Sequence, residues 1–542
     1  MSSLAWIVCS AALHPTLAAE SPQSDRHVVV VVWDGMRPDF MSAENTPVLW
    51  KLAQEGVNFR NHHAVYPSAT EVNGAALATG TYPGRNRIVA NYEYRPEIDN
   101  KRSIAHENAD VVGKGDQLSG GKYLACPTIA ELVHQAGRRT VIAAAKGVGL
   151  LQDRHGDSAA RAIEVNRPYL AAKDSVTLFA GKALPLSALA PIVARLGPSP
   201  LSEDASRDNW ATRALTDFLW QGDVPIFSLL WLGEPDASEH RSAPGSKEAL
   251  AAIKSSDENL GRVLAALDRQ GVRATTDIFV VSDHGFSTIA RAIDLRKILR
   301  NAAFDAVTGF TEEPKPGQIM LVGNGGTVLF YVVQQDAAVI GRLVDFLQHS
   351  DFAGVIFTKK KLEGTFTLDQ GGIDPPSQGY GAAGSEHAPD VVMAFRWNEN
   401  KNQFGVAGMV DADWNRGAGK GTHASLSRFD LHNTLIAAGP DFQRGHADEL
   451  PSGNIDLAPT ILRILGITPP KPLDGRVLSE AMIGADHDVA GAQSETVQAK
   501  KSFSSGMWQQ TLRISRVGST MYLDEGKGEF VAKRAAASPG LP

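Results

Sequence analysis

The sequence has few cysteines and, beyond its N-terminal segment, no long apolar run. Cys9 and Cys126 are the two cysteines among 542 residues. Cys9 lies inside the apolar N-terminal segment, so a processed chain would keep one thiol and form no internal disulfide. Cys126, in "YLACPTIAEL", is typical of a small core residue. No later stretch approaches the roughly 20 apolar residues of a membrane span, so we expect no membrane-spanning helix after that segment.

A large charge of either sign is also missing. The formal net charge is −7, with 21% charged and 43% hydrophobic residues, as in an ordinary globular protein. This balance offers no basic surface for nucleic acid. The chain contains no internal repeat and no low-complexity tract. Because 542 residues exceed one ordinary core, we expect one large α/β domain with a substantial insertion, or two domains.

The N-terminus differs in kind from the rest of the chain. Residues 4–19, "LAWIVCSAALHPTLAA", form a short apolar segment that ends in small residues. This pattern predicts a secretory signal peptide over residues 1–19, with cleavage near Ala19 and a periplasmic or secreted product. No Lys or Arg precedes the segment, and His14 and Pro15 interrupt it. A buried helix or a misassigned start is therefore the alternative interpretation.

The stretch "VVVVVWDGMRPDF" (28–40) is a run of five valines that ends at a carboxylate. An unbroken valine run is typical of a strand covered on both faces, and such strands belong mainly to parallel sheets. Asp34 should therefore lie at the carboxyl end of a central strand, the edge where open α/β sheets bind ligands. A helix cap or a turn is the alternative role for this aspartate.

Strands and helices alternate along most of the chain. "VPIFSLLWLGEPD" (224–236) and "TTDIFVVSDHG" (275–285) have the apolar character of strands, and the segment between them has the pattern of a long amphipathic helix. This order predicts a βαβ crossover. "PTIAELVHQAG" (127–137) predicts a helix and the following "RTVIAAAKG" another strand. The fold class is thus α/β, with a central, mostly parallel sheet flanked by helices.

Two stretches interrupt this alternation. Residues at about 155–215 and 288–420 are rich in Pro, Gly or mixed polar segments, although the second contains strand-like pieces such as "GGTVLFYVV". We interpret both as insertions that cover the carboxyl edge of the sheet. After residue 421 the alternation resumes, with "NIDLAPTILRILGI" as a helix and "PLDGRVL" as a turn into a closing strand.

Aspartate and histidine follow several of the predicted strands and one Gly-flanked loop. A carboxylate or imidazole at one such position is commonly a cap, a turn or a surface group. Together, these side chains suit Zn²⁺ and could supply two ions. Asp236 and His240 are four residues apart, so one helical turn would point both toward the same ion. The candidate ligands are Asp34, Asp236, His240, Asp283, His284 and His423.

The remaining histidines that we considered lack such a context. We expect them to be surface or hydrogen-bonded core residues: His62, His63, His106 and His432.

The stretch "YPSATEVNGAALATGTYPG" (66–84) supplies a candidate nucleophile. "GAALATG" is typical of a short helix of small residues, which places Thr70 at a helix N-terminus where an anion is favoured. A threonine hydroxyl is a poor nucleophile at neutral pH, and binding to Zn²⁺ would activate it for covalent phosphoryl transfer. The alternative is that Thr70 only caps the helix.

In order and spacing, these motifs resemble the alkaline phosphatase superfamily and, within it, the type I phosphodiesterase/nucleotide pyrophosphatase family. The motifs are "VVWDGMRPD", "YPSATEVN", "LATGTYPGRNRI", "EPDASEH", "VVSDHGFS" and "GTHAS". The resemblance covers residues 27–480 and leaves 481–542 as a C-terminal extension. It implies a two-zinc site and a threonine nucleophile that forms a phospho-enzyme intermediate.

The resemblance also implies roles for single residues. Thr70 would be the nucleophile, and Asn73 would donate a hydrogen bond to a non-bridging phosphoryl oxygen. Each of two Zn²⁺ ions would have its own ligand set. The ligands of one zinc would be Asp236, His240 and His423, and those of the other Asp34, Asp283, His284 and the Thr70 hydroxyl.

The substrate positions depart from the family pattern. Glu71 stands where the family usually has an aromatic residue, and Trp231 stands where it commonly has a tyrosine against the nucleobase. A carboxylate beside the nucleophile would repel a polyanion. We therefore expect hydrolysis of a small-molecule phosphoester, most simply a phosphodiester, and leave nucleotides open as substrates. The sequence specifies neither the leaving group nor an oligomeric state.

Other functions stay open. Related branches hydrolyse phosphomonoesters or phosphonates and use a cation against the extra substrate charge, for which Lys146 and Arg154 are candidates. Sulfatases are disfavoured because their C/S-x-P-x-R motif is absent at the nucleophile position. An inactive binding module on the same fold is the non-enzymatic alternative. Metal analysis separates these classes, since an enzyme of this family would hold about two Zn²⁺ per chain.

Overall fold

The computed structural model describes residues 26–154, 174–373, 387–484 and 490–533. The predicted signal peptide lies outside these ranges. Within them, no helix combines the length and the apolar character needed to cross a membrane.

A nine-stranded sheet forms the centre of the molecule. Neighbouring strands pair in parallel in the middle of the sheet, and antiparallel pairs occur toward both sides. In spatial order the strands are His446–Asp448, Val57–Phe59, Leu435–Ala438, Thr276–Val281, His27–Trp33, Phe227–Leu232, Thr140–Ala144, Val176–Phe179 and Lys182–Leu184. The predicted α/β class with a mostly parallel sheet is confirmed.

The valine run is the central strand, His27–Trp33. It pairs in parallel with Phe227–Leu232 on one side and with Thr276–Val281 on the other. Its side chains alternate between two apolar clusters, one on each face of the sheet, so every valine of the run is buried. Burial on both faces explains why the sequence shows no polar alternation here.

Helices cover both faces of the sheet. Lys247–Gln270 is the long predicted helix, and it connects two parallel strands as a crossover. Ser246 caps this helix by accepting a hydrogen bond from the Ala249 amide, and Gly271 ends it with a left-handed backbone conformation. The α-helices are Pro47–Glu55, Thr70–Thr79, Pro83–Asn86, Ala109–Ser119, Ile129–Gln135, Gly149–Gln152, Leu189–Leu196, Ala205–Ala214, Asp236–Ser242, Lys247–Gln270, Leu295–Asn301, Ala337–Gln348, Arg428–Leu431 and Leu457–Ile464.

The structure changes the interpretation of the first insertion. Residues 155–173 lie outside the described part of the chain. Of the remainder, Val176–Phe179 and Lys182–Leu184 extend the central sheet instead of covering its carboxyl edge. Pairing of Val176–Phe179 with Thr140–Ala144 accounts for this difference, because a short strand after an irregular segment has no distinctive sequence pattern.

The second insertion forms two further sheets. Their loops at residues 323–325 and 415–416 line a cavity together with residues at the carboxyl edge of the central sheet. One sheet has six strands, Ala306–Val307, Ile319–Gly323, Thr327–Val332, Val391–Phe395, Ala353–Thr358 and Phe366–Thr367. The other has four, Trp397–Lys401, Ala407–Ala412, Ser287–Ala292 and Gly421–Thr422.

The C-terminal extension forms a three-stranded antiparallel sheet, Gln493–Ser502, Gly506–Val517 and Thr520–Ala532. It packs on the six-stranded sheet. Trp508 is fully buried there, and the Gln510 amide pairs with both backbone groups of Ile356. The described residues also form two small two-stranded sheets. One pairs Ser452–Gly453 with His62–His63, and the other pairs Tyr92–Glu93 with Ile104–Ala105.

The predicted closing strand in "PLDGRVL" does not form. Its backbone amides are used elsewhere, since Arg476 N donates to Asp456 Oδ1 and Leu478 N donates to Thr460 Oγ1. Both acceptors belong to the start of the last helical region, so the segment is an irregular turn against it.

Candidate active site

The candidate aspartate ligands meet at the carboxyl edge of the central sheet. Asp34 directly follows the central strand, Asp283 follows its parallel neighbour, and Asp236 begins the helix Asp236–Ser242 after the third strand. Each of the three side chains is almost fully buried. The shared edge of parallel strands therefore brings together residues that are far apart in sequence.

The three candidate histidines have the same orientation. In each, Nδ1 donates to a backbone carbonyl, from His240 to Gly421 O at 3.0 Å, from His423 to Ser68 O at 3.0 Å, and from His284 to Gly285 O at 2.9 Å. A proton on Nδ1 leaves the Nε2 lone pair of the neutral ring available. Such carbonyl-bound imidazoles are typical of metal ligands.

The free Nε2 atoms face carboxylate oxygens that have no hydrogen-bond donor. Asp236 Oδ1 lies 3.3 Å from His240 Nε2 and 3.5 Å from His423 Nε2. His284 Nε2 lies 3.5 Å from Asp34 Oδ1 and 3.3 Å from Asp283 Oδ2. These three carboxylate oxygens are buried without a hydrogen bond. Buried lone pairs that converge in this way are stabilised by a bound cation or by protonation of a carboxyl group, and this set of donor atoms fits a metal centre.

Two adjoining clusters share His284. Its ligand atom lies within 4.8 Å of those of Asp236 and His423, and also within 4.8 Å of those of Asp34 and Asp283. His240 extends the first cluster through Asp236. This arrangement suits two neighbouring ions, and imidazole with carboxylate favours a divalent metal of the Zn²⁺ type.

Burial dominates the ionisation of the aspartates. Desolvation, reinforced by Asp283, raises the pKa of Asp34 well above its usual range, and burial raises the pKa of Asp283 to about 7. Burial has the same effect on Asp236, but the nearby His240 and Lys146 outweigh it and hold the pKa of Asp236 well below its usual range. Bound cations would favour the charged form of all three.

Lys146 lies between the two clusters. Its ammonium is 3.0 Å from Asp236 Oδ2 and 3.1 Å from Asp34 Oδ2. Burial opposes its charge, but the Asp236 and Asp34 carboxylates keep its pKa well above the usual value. The structure thus places this sequence-predicted residue against the site and not in solvent.

Thr70 is the first residue of the helix Thr70–Thr79. Ala69 occupies the N-cap position, and the helix has no side-chain cap. Thr70 therefore does not act as the cap. Its Oγ1 instead lies 3.3 Å from His284 Nε2, beside both clusters. A hydroxyl in this position has the positive end of the helix dipole behind it.

A cavity of about 400 Å³ opens above these groups. Thr70, Asp236, His240 and His423 line its floor, and the inserted sheets form part of its wall. The other lining residues are Glu71, Asn91, Tyr92, Glu107, Lys146, Glu203, Ala237, Arg241, Gly323, Asn324, Gly325, Asn415, Arg416 and Thr422.

The structure corrects the expectation for Asn73. Its Oδ1 accepts from Val65 N at 2.8 Å, and its Nδ2 donates to the carbonyls of Val65 and Ala69. The side chain is fully buried and does not line the cavity. Asn73 therefore holds the strand-to-helix connection and is not directed at a substrate.

Asn91 is a functional candidate that the sequence analysis missed. It lines the cavity, and its Oδ1 accepts from Glu71 N at 3.0 Å, which leaves the Nδ2 hydrogens for another partner. The sequence carried only a weak signal, because Asn91 follows a short apolar stretch, "IVA" (88–90), that forms no strand, unlike the valine run before Asp34.

Trp231 also has a different role from the expected one. The side chain is fully buried, and its Nε1 donates to Asp34 Oδ2 at 2.9 Å. It lies outside the cavity lining, so it offers no ring face to a nucleobase. Its contact instead fixes the orientation of a candidate metal ligand.

The other two substrate-site candidates, Glu71 and Arg154, differ in position, because one lines the cavity and the other does not. Glu71 is 3% exposed and lines the cavity, so it does not point to solvent. Burial and the neighbouring Glu107 raise its pKa well above the usual value. Arg154 is structural, because it pairs with Asp116 at 3.0 Å and with Glu131 at 3.2 Å and does not line the cavity.

Two of the remaining histidines are hydrogen-bonded core residues, as expected. His62 contacts Ser452 Oγ and Asn454 Oδ1, each at 2.9 Å. His106 Nδ1 is hydrogen-bonded to the Tyr123 hydroxyl at 2.5 Å. His63 and His432 form a separate cluster with Asp524, which the sequence did not indicate.

The fold and the site together define a class, namely α/β proteins with a candidate metal centre at the carboxyl edge of a parallel sheet. Comparison with known families places the chain within that class. The sequence profile described as "Type I phosphodiesterase / nucleotide pyrophosphatase" matches residues 28–398. The chain therefore belongs to the type I phosphodiesterase/nucleotide pyrophosphatase family, as its motifs indicated.

The curated relatives are distant. Human ectonucleotide pyrophosphatase/phosphodiesterase family member 1 is 22% identical over 260 residues, which cover 46% of this chain and 22% of the human protein. Venom phosphodiesterase from Naja atra is 19% identical over 269 residues, or 48% of this chain and 26% of that protein. The chain thus spans about a quarter of the length of these relatives.

A solved structure shares the fold. Murine ectonucleotide pyrophosphatase/phosphodiesterase 5, an inactive variant in complex with AMP, is similar with a TM-score of 0.57 and 17% sequence identity. The match covers 84% of this chain and 100% of the murine chain. At this identity the likeness supports the architecture alone.

The indole contact of Trp231 generates a test of the metal centre. Trp231→Phe removes the donor to Asp34 and keeps an aromatic ring, so we expect Zn²⁺ affinity to fall by about 10- to 100-fold. Trp220→Phe is the matched control, because Trp220 is equally buried and its Nε1 donates to Ser228 Oγ at 3.0 Å. Chelator competition measures both affinities. Equal zinc affinity in the two variants would contradict a role of Trp231 in orienting Asp34.

Proposed function

We propose that the protein is a phosphodiesterase that uses Thr70 as its nucleophile at a centre of two Zn²⁺ ions. The observation that carries this proposal is the position of Thr70 Oγ1. It lies at a helix N-terminus, on the floor of the cavity and 3.3 Å from the histidine shared by both clusters. Among the residues that line the cavity, no other hydroxyl combines a helix start with a contact to a metal-type cluster.

The candidate metal ligands divide as the family resemblance implies. The first set is Asp236, His240 and His423, and the second is Asp34, Asp283, His284 and Thr70. Bound there, two cations would supply Lewis acidity and balance the charge on the attacking and leaving oxygens of an in-line displacement.

Thr70 performs the bond-forming step. Its Oγ1 releases its proton to solvent and attacks phosphorus, the P–O bond to the leaving oxygen breaks, and a phosphothreonine intermediate forms. The departing alkoxide takes up a proton from solvent and leaves as the alcohol. Water then hydrolyses this intermediate and restores the hydroxyl. The dipole of the helix Thr70–Thr79 stabilises negative charge on the phosphoryl group throughout.

Asn91 is the residue best placed to bind a non-bridging phosphoryl oxygen. Its Oδ1 accepts a hydrogen bond from the Glu71 amide, which restrains the side-chain amide, and the residue lines the cavity. A donor oriented in advance of the reaction stabilises the transition state without further reorganisation. Asn91 thus takes the role that the family resemblance implied for Asn73.

The carboxyl groups beside the nucleophile favour diesters over monoesters once they are ionised. Glu71, Glu107 and Glu203 line the cavity, and burial raises the pKa of Glu71 and of Glu107, so their full effect requires a pH above these raised pKa values. A phosphodiester carries one negative charge on its phosphoryl group and a monoester almost two near neutral pH, so carboxylates penalise the monoester more.

One observation favours a second candidate function, phosphomonoester or phosphonate hydrolysis. Lys146, Arg241 and Arg416 line the cavity, and a cation there could bind the extra substrate charge. However, the Lys146 ammonium already contacts Asp34 and Asp236, and Arg241 pairs with Glu234. The unpaired oxygens of the buried aspartates weigh against an inactive binding module, because such a module has no need to keep them.

Export to the periplasm or the medium is part of this proposal and rests on residues 1–19 alone. An extracytoplasmic location would suit a hydrolase of small phosphoesters. It stays a prediction from the sequence.

The role of Thr70 can be tested with a matched pair in one helix. Thr70→Ala should lower kcat by about 10³-fold or more while bound zinc and fold are retained, because the nucleophile is not replaced by another group. Thr79→Ala is the control, since Thr79 is also buried and its Oγ1 donates only within the helix region. Near-wild-type turnover in Thr70→Ala would exclude Thr70 as the nucleophile.

The two asparagines give opposite expectations. Asn91→Ala should lower kcat by about 10²-fold, because one preorganised donor to the phosphoryl group is lost. Asn73→Ala should instead lower the unfolding temperature, because its hydrogen bonds to Val65 and Ala69 are buried. Steady-state kinetics and thermal unfolding of both variants distinguish the roles. The reverse result, with an activity loss confined to Asn73→Ala, would make Asn73 the phosphoryl-binding residue.

Substrate charge gives the last test of the proposal. We expect kcat/KM for an aryl phosphodiester to exceed that for the matching monoester. At alkaline pH, where the Glu71 carboxyl with its raised pKa is ionised, Glu71→Gln should narrow this gap by about tenfold or less, the effect of one partly screened charge. Glu258→Gln on the exposed face of Lys247–Gln270 is the control. A monoester preference that collapses in Lys146→Ala would place the protein in the monoesterase branch.

A further inference from the structure

A third cluster of metal-type side chains lies outside the cavity. It consists of His63, His432 and Asp524, whose ligand atoms all lie within 4.8 Å of one another, as in the two candidate catalytic clusters. None of the three lines the cavity. They come from a short strand, from the residue after the helix Arg428–Leu431, and from the last strand of the C-terminal sheet.

His63 has the same orientation as the histidines of the candidate active site. Its Nδ1 donates to Ser452 O at 2.9 Å, and its Nε2 points to Asp524 Oδ1 at 3.0 Å. The ring is 1% exposed and stacks on Tyr522, with centroids 5.5 Å apart. A carbonyl thus fixes the tautomer and leaves Nε2 for the centre of the cluster.

Asp524 is held in a similar way. Its Oδ2 accepts from Ser515 Oγ at 3.0 Å, while Oδ1 faces the imidazole of His63. The side chain is 4% exposed, and Arg513 Nε stands 4.0 Å from Oδ2. One carboxylate oxygen is therefore anchored, and the other is directed into the cluster.

His432 distinguishes a metal site from a simple ion pair. Its ring centroid lies 4.3 Å from that of His63, and its ligand nitrogen lies within 4.8 Å of the ligand atoms of His63 and Asp524. The residue is half-buried, so a proton shared between His63 and Asp524 would satisfy those two residues and leave the second imidazole to solvent. A metal ion uses all three side chains at once.

We propose that His63, His432 and Asp524 bind a third divalent metal ion, of the Zn²⁺ type, that fastens the C-terminal sheet to the catalytic domain. Two imidazoles and a carboxylate are a ligand set that Zn²⁺ accepts, with a fourth position left for water. The ligands are separated by long stretches of chain, so the ion closes large loops. It thereby stabilises the packing of Thr520–Ala532 against the strand His62–His63.

The site is connected to the candidate active site through the neighbouring residue. His62 Nε2 contacts Asn454 Oδ1, and Asn454 Nδ2 donates to Asp283 O at 2.7 Å. The ion therefore stabilises a segment that supports Asp283 without contacting substrate. It acts as a structural metal and takes no part in the reaction.

Metal content and hydrogen exchange test the site independently of activity. The full-length chain is stripped with chelator, reloaded with Zn²⁺ alone, and analysed for bound zinc and for amide exchange of Thr520–Ala532. We expect about three Zn²⁺ in the wild type and about one fewer in His432→Ala, which should keep its phosphodiesterase activity. His423→Ala should also lose about one ion, but with its activity. His446→Ala, on the short edge strand His446–Asp448, is the control and should keep all three.

Amide hydrogen exchange is the second measurement, and it decides whether zinc binds at this third cluster. Zinc should slow the exchange of Thr520–Ala532 in the wild type and in His423→Ala, and should have no such effect in His432→Ala or Asp524→Asn. If zinc does not change the amide exchange of Thr520–Ala532 in the wild type, the proposal is wrong and His63 and Asp524 form only an ion pair. This measurement needs the wild type alone, so it decides the question even if the histidine variants fail to fold. Zinc-dependent protection in a chain without phosphodiesterase activity would support the third site and reject only the proposed function.

Discussion

The buried negative charge at the end of the central strand is the constraint on which the rest of the site depends. Asp34, Asp236 and Asp283 converge in a place that water hardly reaches, and each keeps one oxygen without a donor. Such a group of carboxylates is costly to bury unless cations compensate it. The carbonyl-bound histidines keep Nε2 available for a metal cation, and Lys146 places its ammonium beside the aspartates. Both features compensate the buried negative charge.

The sequence predicted the elements whose signals are local. A valine run specifies a strand buried on both faces, and the residue that follows it must lie at the sheet edge. For this reason the amino-acid pattern alone was enough to place Asp34 and Asp283 at one edge. Thr70 was placed at a helix start by a similar local pattern of small residues. In each case a few neighbouring residues carry the whole signal.

The other features of the fold and the candidate site could not be predicted from the sequence. They depend on contacts between distant segments, which local patterns do not encode. The Asn73 side chain is held away from the cavity by the backbone of Val65, and Trp231 reaches Asp34 from the adjacent parallel strand. "PLDGRVL" has a strand-like composition, yet its amides are satisfied by helix residues. His63 and His432 acquire a common partner only when the C-terminal sheet folds back over the domain.

The spread of the candidate ligands along the chain has a consequence for synthesis in the cell. The first, Asp34, emerges from the ribosome early, whereas His423 emerges only after both inserted sheets have been made. A growing polypeptide therefore cannot complete the candidate metal site, because a chain that ends before His423 lacks one of the candidate ligands, which also lines the cavity.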